Sequence, residues 1–241
     1  MKIQAHRGAS KERPENTMSA FIRARELQAD GIELDVHLLP DGTLAVHHDA
    51  MLGRCEQPQR SIYEYDAASI KTFSVGDKFS PRYAEEKVPL FREVLEFLKD
   101  NALFLNVEIK ADSGFLTDIA AKTAELLEEY HMAERCIISS FQHEILKEIT
   151  KRFPNYKTGA LYVRPYGTNI AEYCKYHGFP AAHPYYRYID QELVRACHKY
   201  GIQVNAWTVD QDFEKMDALG VDTVITNDVA SAKRCLERES I

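Results

Sequence analysis

The 241-residue chain lacks several features that would point to particular partners or compartments. It has no run of basic residues, and its net charge of -7 argues against nucleic acid or an anionic membrane surface as a partner. Its five cysteines are scattered and form no Cys-x-x-Cys pair, which is typical of reduced thiols in a cytoplasmic protein. There is no apolar signal core at the start and no apolar run long enough to span a bilayer. We therefore expect a soluble, cytoplasmic protein, and its charge is compatible with a small phosphate-bearing substrate.

No internal repeat, low-complexity tract or flexible linker interrupts the chain. From residue 89 onward, helical and strand patterns alternate, which predicts parallel βα units. Their number favours an α/β fold closed into a (β/α)8 TIM barrel over an open sheet. Nine strands can be counted instead of eight, because one hairpin lacks an intervening helix; a loop in place of one of the short strands is the alternative. Residues 50–88 have no strong periodicity and predict a small insertion or cap after the third strand, within a single domain spanning residues 1–241.

The most informative stretch runs from Gly31 to Asp49. Apolar and polar residues alternate along its first part, which places Glu33 and Asp35 together on one face of a strand. A Pro-Asp-Gly-Thr turn then leads into a second strand that ends beside His48. Two carboxylates with a histidine beside them indicate a site for a cation and for acid–base chemistry. The structural alternative is an exposed hairpin with solvated charges.

Chemistry in a TIM barrel collects at the carboxyl ends of its strands. Glu108 and Lys110 take inward positions on the strand predicted over 103–110, so Glu108 is expected to meet Glu33 and Asp35. Buried carboxylates without a partner are costly, and a divalent cation is the simplest partner for three of them. Oxygen ligands favour magnesium, calcium or manganese over zinc.

The remaining charged and titratable groups at these strand ends suit an anionic substrate. Arg7 and Lys110 supply positive charge, and His6 and His48 come from different strands as a candidate acid–base pair. A metal, two cations and two histidines around an anion predict phosphoryl transfer. The structural alternative treats the carboxylates and cations as ion pairs and His6 as a satisfied core histidine.

Four other side chains are harder to place. We expect His37, beyond the carboxylates, at the rim of the site, and we expect His47 to be structural. We expect His183 to pack and not to line the mouth. Trp207 fits a core position and a substrate platform equally well.

Short motifs follow one another from the first strand to the last. They are His6-Arg7-Gly8, Pro14-Glu15-Asn16-Thr17, Glu33-Leu34-Asp35-Val36, Asp41-Gly42, His48-Asp49, Glu108-Ile109-Lys110, Trp207-Thr208-Val209 and Gly220-Val221-Asp222. In this order they resemble the glycerophosphodiester phosphodiesterases, most of all the short cytoplasmic bacterial type. The resemblance covers essentially the whole chain.

This resemblance implies hydrolysis of a glycerophosphodiester to sn-glycerol 3-phosphate and an alcohol. The substrate's own 2-hydroxyl would attack phosphorus, and water would then open the cyclic phosphate. The resemblance implies these residue roles: Glu33, Asp35 and Glu108 on a divalent ion, His6 and His48 as acid and base, Arg7 and Lys110 on the phosphate, and Glu15 and Asn16 in support. We further expect Trp207 and Phe141 to line the substrate pocket.

The chain departs from the family's usual pattern in three places. The first is the run Arg54 to Pro58, and the second is Leu38-Leu39-Pro40, which replaces a more polar approach to Asp41-Gly42. The third is Asn227, where Thr-Asp is more usual than the Thr226-Asn227 seen in this chain. We expect none of these departures to touch the metal or the acid–base positions, so that only the leaving-group pocket would differ from the family's.

Other functions are compatible with the same barrel. A lysophospholipase D or sphingolipid phosphodiesterase would need an apolar groove or a membrane-binding loop. A metal-dependent isomerase or aldolase would act on a sugar phosphate without a diester, and a barrel that only binds a ligand would have lost a catalytic group. We expect a monomer or a homodimer.

Overall fold

The structure is a computed structural model that describes residues 1–52, 60–111, 116–164 and 169–238. Its strands are β1 Lys2–His6, β2 Gly31–Leu38, β3 Leu44–Val46, β4 Met51–Leu52, β5 Arg60–Ser61, β6 Phe104–Ile109, β7 Cys136–Ser140, β8 Lys157–Tyr162, β9 Ala181–Pro184, β10 Gln203–Ala206 and β11 Thr223–Thr226. Its α-helices are α1 Met18–Glu26, α2 Ala67–Ile70, α3 Phe91–Lys99, α4 Leu116–Glu129, α5 His143–Arg152, α6 Ile170–His177, α7 Gln191–Lys199, α8 Phe213–Leu219 and α9 Val229–Arg238.

Eight parallel strands close into a barrel. They pair in the order β1, β2, β6, β7, β8, β9, β10 and β11, and β11 pairs again with β1. The predicted TIM barrel is therefore confirmed. The ninth strand is β3, in the hairpin that lacks an intervening helix, and the alternative that one of the short strands is a loop is wrong. As the return arm of a hairpin, β3 runs antiparallel to the end of β2, so it cannot belong to the parallel barrel.

The core follows from the alternation along the strands. Ile32, Leu34 and Val36 on β2 are fully buried in the large apolar cluster between the barrel and its helices. Their neighbours of opposite parity point into the barrel, where polar residues collect at the carboxyl ends. None of the helices in the described ranges has both the length and the apolar character needed to cross a membrane.

The described part of the 50–88 insertion has a small core of its own. β4 and β5 form an antiparallel pair, followed by a 3-10 turn at Ile62–Glu64, helix α2 and a second 3-10 turn at Pro81–Tyr83. Their buried apolar side chains pack with residues of the β2–β3 hairpin; the cluster contains Leu39, Ala45, Leu52, Ile62, Tyr65, Ile70, Val75 and Val88. The insertion is thus attached to the hairpin that leads to His48.

Candidate active site

A cavity of about 70 Å³ lies at the carboxyl ends of the strands. Most of the residues singled out from the sequence line it: His6, Arg7, Glu33, His48, Glu108, Lys110, Phe141 and Trp207. Asn106, Ser139, Leu161, Thr208 and Ile225 complete the lining. Asp35, Glu15 and Asn16 contact residues of this lining.

Three buried carboxylates form a compact cluster. Glu33 and Asp35 are two residues apart on β2, and Glu108 of β6 is the register partner of Asp35. One oxygen of each lies within 4.8 Å of the others. Burial raises the pKa of Glu33 well above its usual range, and the charges of Asp35 and Glu108 raise it further. Burial also raises the pKa of Glu108, to about 7.

Two cations contact this cluster. Lys110 Nζ lies 3.1 Å from Asp35 Oδ1 and also pairs with Glu108. Arg7 donates from Nη1 to Glu15 Oε1 at 2.9 Å, and its Nε lies 3.4 Å from Asp35 Oδ2. Burial opposes ionisation of Asp35, but Lys110 and Arg7 outweigh it and hold the pKa of that carboxyl well below its usual range. Asp35 is therefore the carboxylate that these cations keep ionised.

A sharp turn after β1 sets the position of Arg7. Arg7 and Gly8 both have left-handed backbone angles, with φ of 57° and 79°. A Cβ at residue 8 would lie 2.7 Å from backbone and side-chain atoms of Ala20, so glycine is required for this close approach. The turn points the Arg7 N–H at Glu33 Oε2, 2.9 Å away. The His-Arg-Gly motif is thus explained by backbone geometry.

Asn16 orients Asp35 from the other side. Its Nδ2 donates to Asp35 Oδ2 at 2.8 Å, and its own backbone N–H donates to the Arg7 carbonyl at 2.9 Å. Asn16 is buried and has a φ of 55°, a conformation that asparagine tolerates better than most residues. The Pro-Glu-Asn-Thr motif therefore delivers two contacts, one from Glu15 to Arg7 and one from Asn16 to Asp35.

His6 is held by a residue that was not expected near the acid–base positions. Its Nδ1 donates to Asn227 Oδ1 at 2.8 Å, and Asn227 Nδ2 donates in turn to Asp210 Oδ2 at 2.6 Å. The expectation that Asn227 stays away from these positions is therefore wrong. The closed barrel explains the contact, because β11 lies beside β1 and their ends are adjacent. Barrel closure was the signal in the sequence that could have found it.

The protonation of His6 follows from its surroundings. Burial lowers the pKa of His6 to about 4, and the neighbouring Arg7 charge lowers it further. The ring is therefore neutral near pH 7, with its proton on Nδ1. That leaves the lone pair of Nε2 available, 3.9 Å from Glu33 Oε2.

His48 enters the cavity from the segment after β3. Its Nδ1 donates a hydrogen bond to the Asp49 carboxylate, because a carboxylate can only accept. The Nε2 of His48 therefore remains available for proton transfer. Burial lowers the pKa of His48, Asp35 opposes this effect, and Lys110 adds to it. Asp49 belonged to a recognised motif, but the sequence alone did not assign it this contact. His47 is buried with its Nδ1 against the Asp49 carbonyl, in keeping with a structural position.

The other histidines and aromatic residues fall in distinct places. The expectation that His37 lies at the rim is wrong, because its side chain is fully buried between β2 and the insertion. His183 is also fully buried, which confirms that it packs. Phe141 and Trp207 meet edge to face with ring centroids 5.5 Å apart at the cavity, and Trp207 Nε1 donates to the His183 carbonyl at 2.9 Å. Phe141 is 44% exposed and therefore accessible.

The acidic cluster fits a divalent cation. Four carboxyl groups surround two cations, which gives an excess of two negative charges when all four are ionised; they belong to Glu15, Glu33, Asp35 and Glu108. The raised pKa values of Glu33 and Glu108 show that a further positive charge is needed to keep these two groups ionised. Asp35 Oδ1 is buried, and apart from its ion pair with Lys110 it has no hydrogen-bond partner among the described residues. Oxygen donors of this kind are the ligands of calcium and magnesium. The residues present therefore suit such an ion.

A TIM barrel with clustered carboxylates, two cations and two histidines at its carboxyl-terminal mouth has the arrangement of an enzyme acting on phosphate esters. The profile of the Glycerophosphoryl diester phosphodiesterase family matches residues 6–231. A glycerophosphodiester phosphodiesterase of Caldanaerobacter subterraneus subsp. tengcongensis is 40% identical over 232 residues, which cover 94% of this chain and 93% of that protein. One from Bacillus altitudinis is 32% identical, with 94% of each chain covered. The chain belongs to the glycerophosphodiester phosphodiesterase family.

Solved structures share the fold. A putative glycerophosphoryl diester phosphodiesterase from Silicibacter pomeroyi has a TM-score of 0.92 at 24% identity, covering 100% of this chain and 94% of that one. A phosphodiesterase from Oleispira antarctica, solved in complex with the product sn-glycerol-3-phosphate, has a TM-score of 0.92 at 24% identity, covering 98% and 97%. At these identities the likeness establishes the TIM barrel.

Proposed function

We propose that this protein hydrolyses glycerophosphodiesters to sn-glycerol 3-phosphate and an alcohol. The observation that carries the proposal is one cavity lined by two histidines from different strands, by both cations and by carboxylates of the acidic cluster. Membership of the family supports it, as does the product named for the structural neighbour from Oleispira antarctica. The proposal includes one domain over residues 1–241, with 50–88 as an insertion within it.

We propose that Glu33, Asp35 and Glu108 hold one divalent cation, either calcium, magnesium or manganese. When bound, such an ion supplies positive charge to phosphate oxygens and so stabilises charge that develops in the transition state. Arg7 and Lys110 would bind the same phosphate from the protein side. Glu15 and Asn16 keep Arg7 and Asp35 in position through their hydrogen bonds to these two side chains.

The two histidines would divide the proton transfers. His6 is neutral with a free Nε2, so it suits the base that accepts the proton of the substrate's 2-hydroxyl. The hydroxyl oxygen forms a bond to phosphorus, and the bond from phosphorus to the alcohol oxygen breaks. His48 would react in its positive form, which burial disfavours and the Asp49 carboxylate stabilises, and would give that oxygen its proton. An internal nucleophile benefits from proximity and requires no serine or cysteine.

The second half-reaction reverses these roles. His48, now neutral, accepts a proton from water, and the water oxygen bonds to phosphorus. The bond from phosphorus to the 2-oxygen breaks, and His6 returns its proton to that oxygen, which leaves both histidines as they began. Trp207 and Phe141 would pack against the substrate at the cavity wall.

A lipid substrate receives no specific support from the described part of the insertion. Tyr65 is buried in the core of the insertion, and Tyr63 and Phe73 pack against that core. Phe79 is 45% exposed and contacts Tyr83 edge to face. Three of the four rings therefore hold the insertion together, and one exposed ring does not make an apolar groove. The cytoplasmic location and the choice between monomer and homodimer stay predictions.

The test is a coupled assay of sn-glycerol 3-phosphate release from diesters of glycerol 3-phosphate with different alcohols, with micellar lysophospholipid as a separate substrate. Release from the small water-soluble diesters is the expected result. Release from lysophospholipid alone would replace the proposal with the lysophospholipase hypothesis. No release from either substrate by folded protein loaded with a divalent ion would contradict both.

A further inference from the structure

We propose that the insertion holds His48 in position through a hydrogen-bonded chain of two side chains, Tyr63 and His37. This inference rests on the proposed function, because it takes His48 as a catalytic histidine. It assigns a role to the insertion and makes His37 and Tyr63 positioning residues. Both lie outside the set of residues that line the substrate cavity.

The chain of contacts is direct. His37 lies on β2, one pleat beyond Asp35, and its side chain is fully buried. Its Nδ1 lies 2.8 Å from the Tyr63 hydroxyl, and its Nε2 lies 3.1 Å from the backbone carbonyl oxygen of His48. The two rings meet edge to face, with centroids 5.7 Å apart.

The chemistry of the partners determines the direction of both bonds. The His48 carbonyl can only accept, so Nε2 of His37 must carry the proton and donate it. In a neutral imidazole the other nitrogen then accepts, so the Tyr63 hydroxyl is the donor to Nδ1. Tyr63 therefore selects the tautomer of His37 that can bind the His48 carbonyl.

The backbone around His48 explains why such a contact matters. The ladder between β2 and β3 ends at Val46, and the next backbone bond runs from the His47 N–H to the Asp35 carbonyl at 3.1 Å. Backbone pairing resumes where the Ile62 N–H donates to the Ala50 carbonyl. His48 lies between these two anchor points, and a side chain takes the place of a strand partner for its carbonyl.

Tyr63 is itself firmly placed. It lies in the 3-10 turn Ile62–Glu64, which begins with a capping box between Ser61 and Glu64. Its neighbour Ile62 is fully buried in the core of the insertion. The insertion thus fixes Tyr63, Tyr63 fixes His37, and His37 fixes the main chain that carries His48 and Asp49.

The test compares the variants His37→Phe, His37→Gln and Tyr63→Phe, with Tyr65→Phe as the matched control. Tyr65 lies in the same insertion, and its buried hydroxyl has no hydrogen-bond partner among the described residues. Steady-state diester hydrolysis gives kcat and KM for each variant, and metal titration and thermal unfolding show whether the site and fold are kept.

We expect His37→Phe to lower kcat by about 10- to 100-fold, as is typical when a group that orients a functional residue is lost. KM and metal affinity should change by about twofold or less, because binding groups are untouched. His37→Gln should recover most of kcat, since its amide nitrogen can donate to the His48 carbonyl as Nε2 does. Tyr63→Phe should lower kcat by about 3- to 10-fold, because it removes the hydroxyl that donates to Nδ1, and Tyr65→Phe should match wild type.

Wild-type kcat in both His37→Phe and Tyr63→Phe would overturn the inference, as would equal losses in the Phe and Gln variants of His37. Nitrogen-15 NMR of His37 provides a test that does not depend on activity or on the fold of a variant. The Nε2–H tautomer in the wild-type protein is the expected result, and the Nδ1–H tautomer would overturn the inference. A wild-type protein without diesterase activity would refute the proposed function, and the NMR result would still decide on the hydrogen-bonded chain.

Discussion

Two histidines inside this barrel have opposite surroundings. His6 sits at the carboxyl-terminal end, lines a cavity, and has Arg7, Asp35 and Glu15 as charged neighbours. His183 is fully buried, and its Nε2 contacts the amide of Asn205 at 2.9 Å. Burial lowers the pKa of both, to about 4 for His6 and about 3 for His183. Both histidines thus have a strongly lowered pKa. Only His6 has an accessible ring nitrogen beside groups that could bind a substrate.

The comparison extends to what each region contributes. Around His183 the packing is close, since a Cβ at Gly159 would lie 2.2 Å from its Nε2. Around His6 the pKa values of Glu33 and Glu108 are raised, a sign that burial of these carboxylates is costly for stability. His183 therefore serves the fold, and His6 belongs to the charged region that lines the cavity.

The sharpest way to separate the two regions is to substitute the histidines in each of them. We expect His6→Ala and His48→Ala to lower kcat by about 10²- to 10⁴-fold, the usual contribution of a general acid or base. Thermal unfolding of both variants should stay close to wild type. The matched variant His183→Asn should keep activity within about threefold while unfolding at lower temperature. Full activity in either alanine variant would remove that histidine from the acid–base pair.

The acidic cluster gives the next largest effect. Glu108→Gln removes one carboxylate of the proposed ligand set, and we expect the affinity for a divalent ion to fall by about 10- to 100-fold or more, since even supporting groups have effects of that size. Isothermal titration calorimetry measures the affinity, with Glu134→Gln, a change near the amino-terminal mouth of the barrel, as the control. An unchanged affinity in Glu108→Gln would take Glu108 out of the ligand set.

A smaller effect should come from the residue that holds His6. Asn227→Ala removes the acceptor for Nδ1–H, which frees the ring to rotate or change tautomer. We expect kcat to fall by about tenfold, with metal affinity unchanged. Calorimetry and the diesterase assay together distinguish this result from a general loss of the site. Unaltered kcat would show that Asn227 does not position His6.

The variant His183→Asn should have the smallest effect on activity and the clearest effect on stability. The folded-state pKa of His183, about 3, lies below that of an unfolded histidine, near 6.5. Below pH 6.5 the unfolded chain therefore binds a proton that the folded protein does not, and the contribution of neutral His183 falls by about 1.4 kcal/mol per pH unit. The stability gap between wild type and His183→Asn, measured by urea unfolding, should be largest above pH 6.5 and shrink toward pH 4. A gap that widens on acidification would contradict this sign.

Much of this arrangement could be predicted from the sequence because it depends on local pattern. Alternation along β2 and β6 placed Glu33, Asp35 and Glu108 on inward faces. Parallel pairing of the two strands then brings Glu108 beside Asp35. The contacts that were missed join residues far apart in the chain. His6 and Asn227 meet only because the barrel closes, and His37 is buried only because the insertion packs over the end of β2. Neither closure register nor insertion packing has a short-range signature. The departure at Arg54 to Pro58 lies outside the described residues, so its effect on the leaving-group pocket stays a prediction.

The central claim is that the charged cavity at the carboxyl ends of the strands acts as one metal-dependent phosphodiesterase site. Its most direct test measures sn-glycerol 3-phosphate release by chelator-treated protein while calcium, magnesium or manganese is added back and bound metal is counted in parallel. Activity should be at least about 100-fold lower without metal and should return in proportion to the binding of one ion per chain. Full turnover by folded protein shown to hold no metal would contradict the claim.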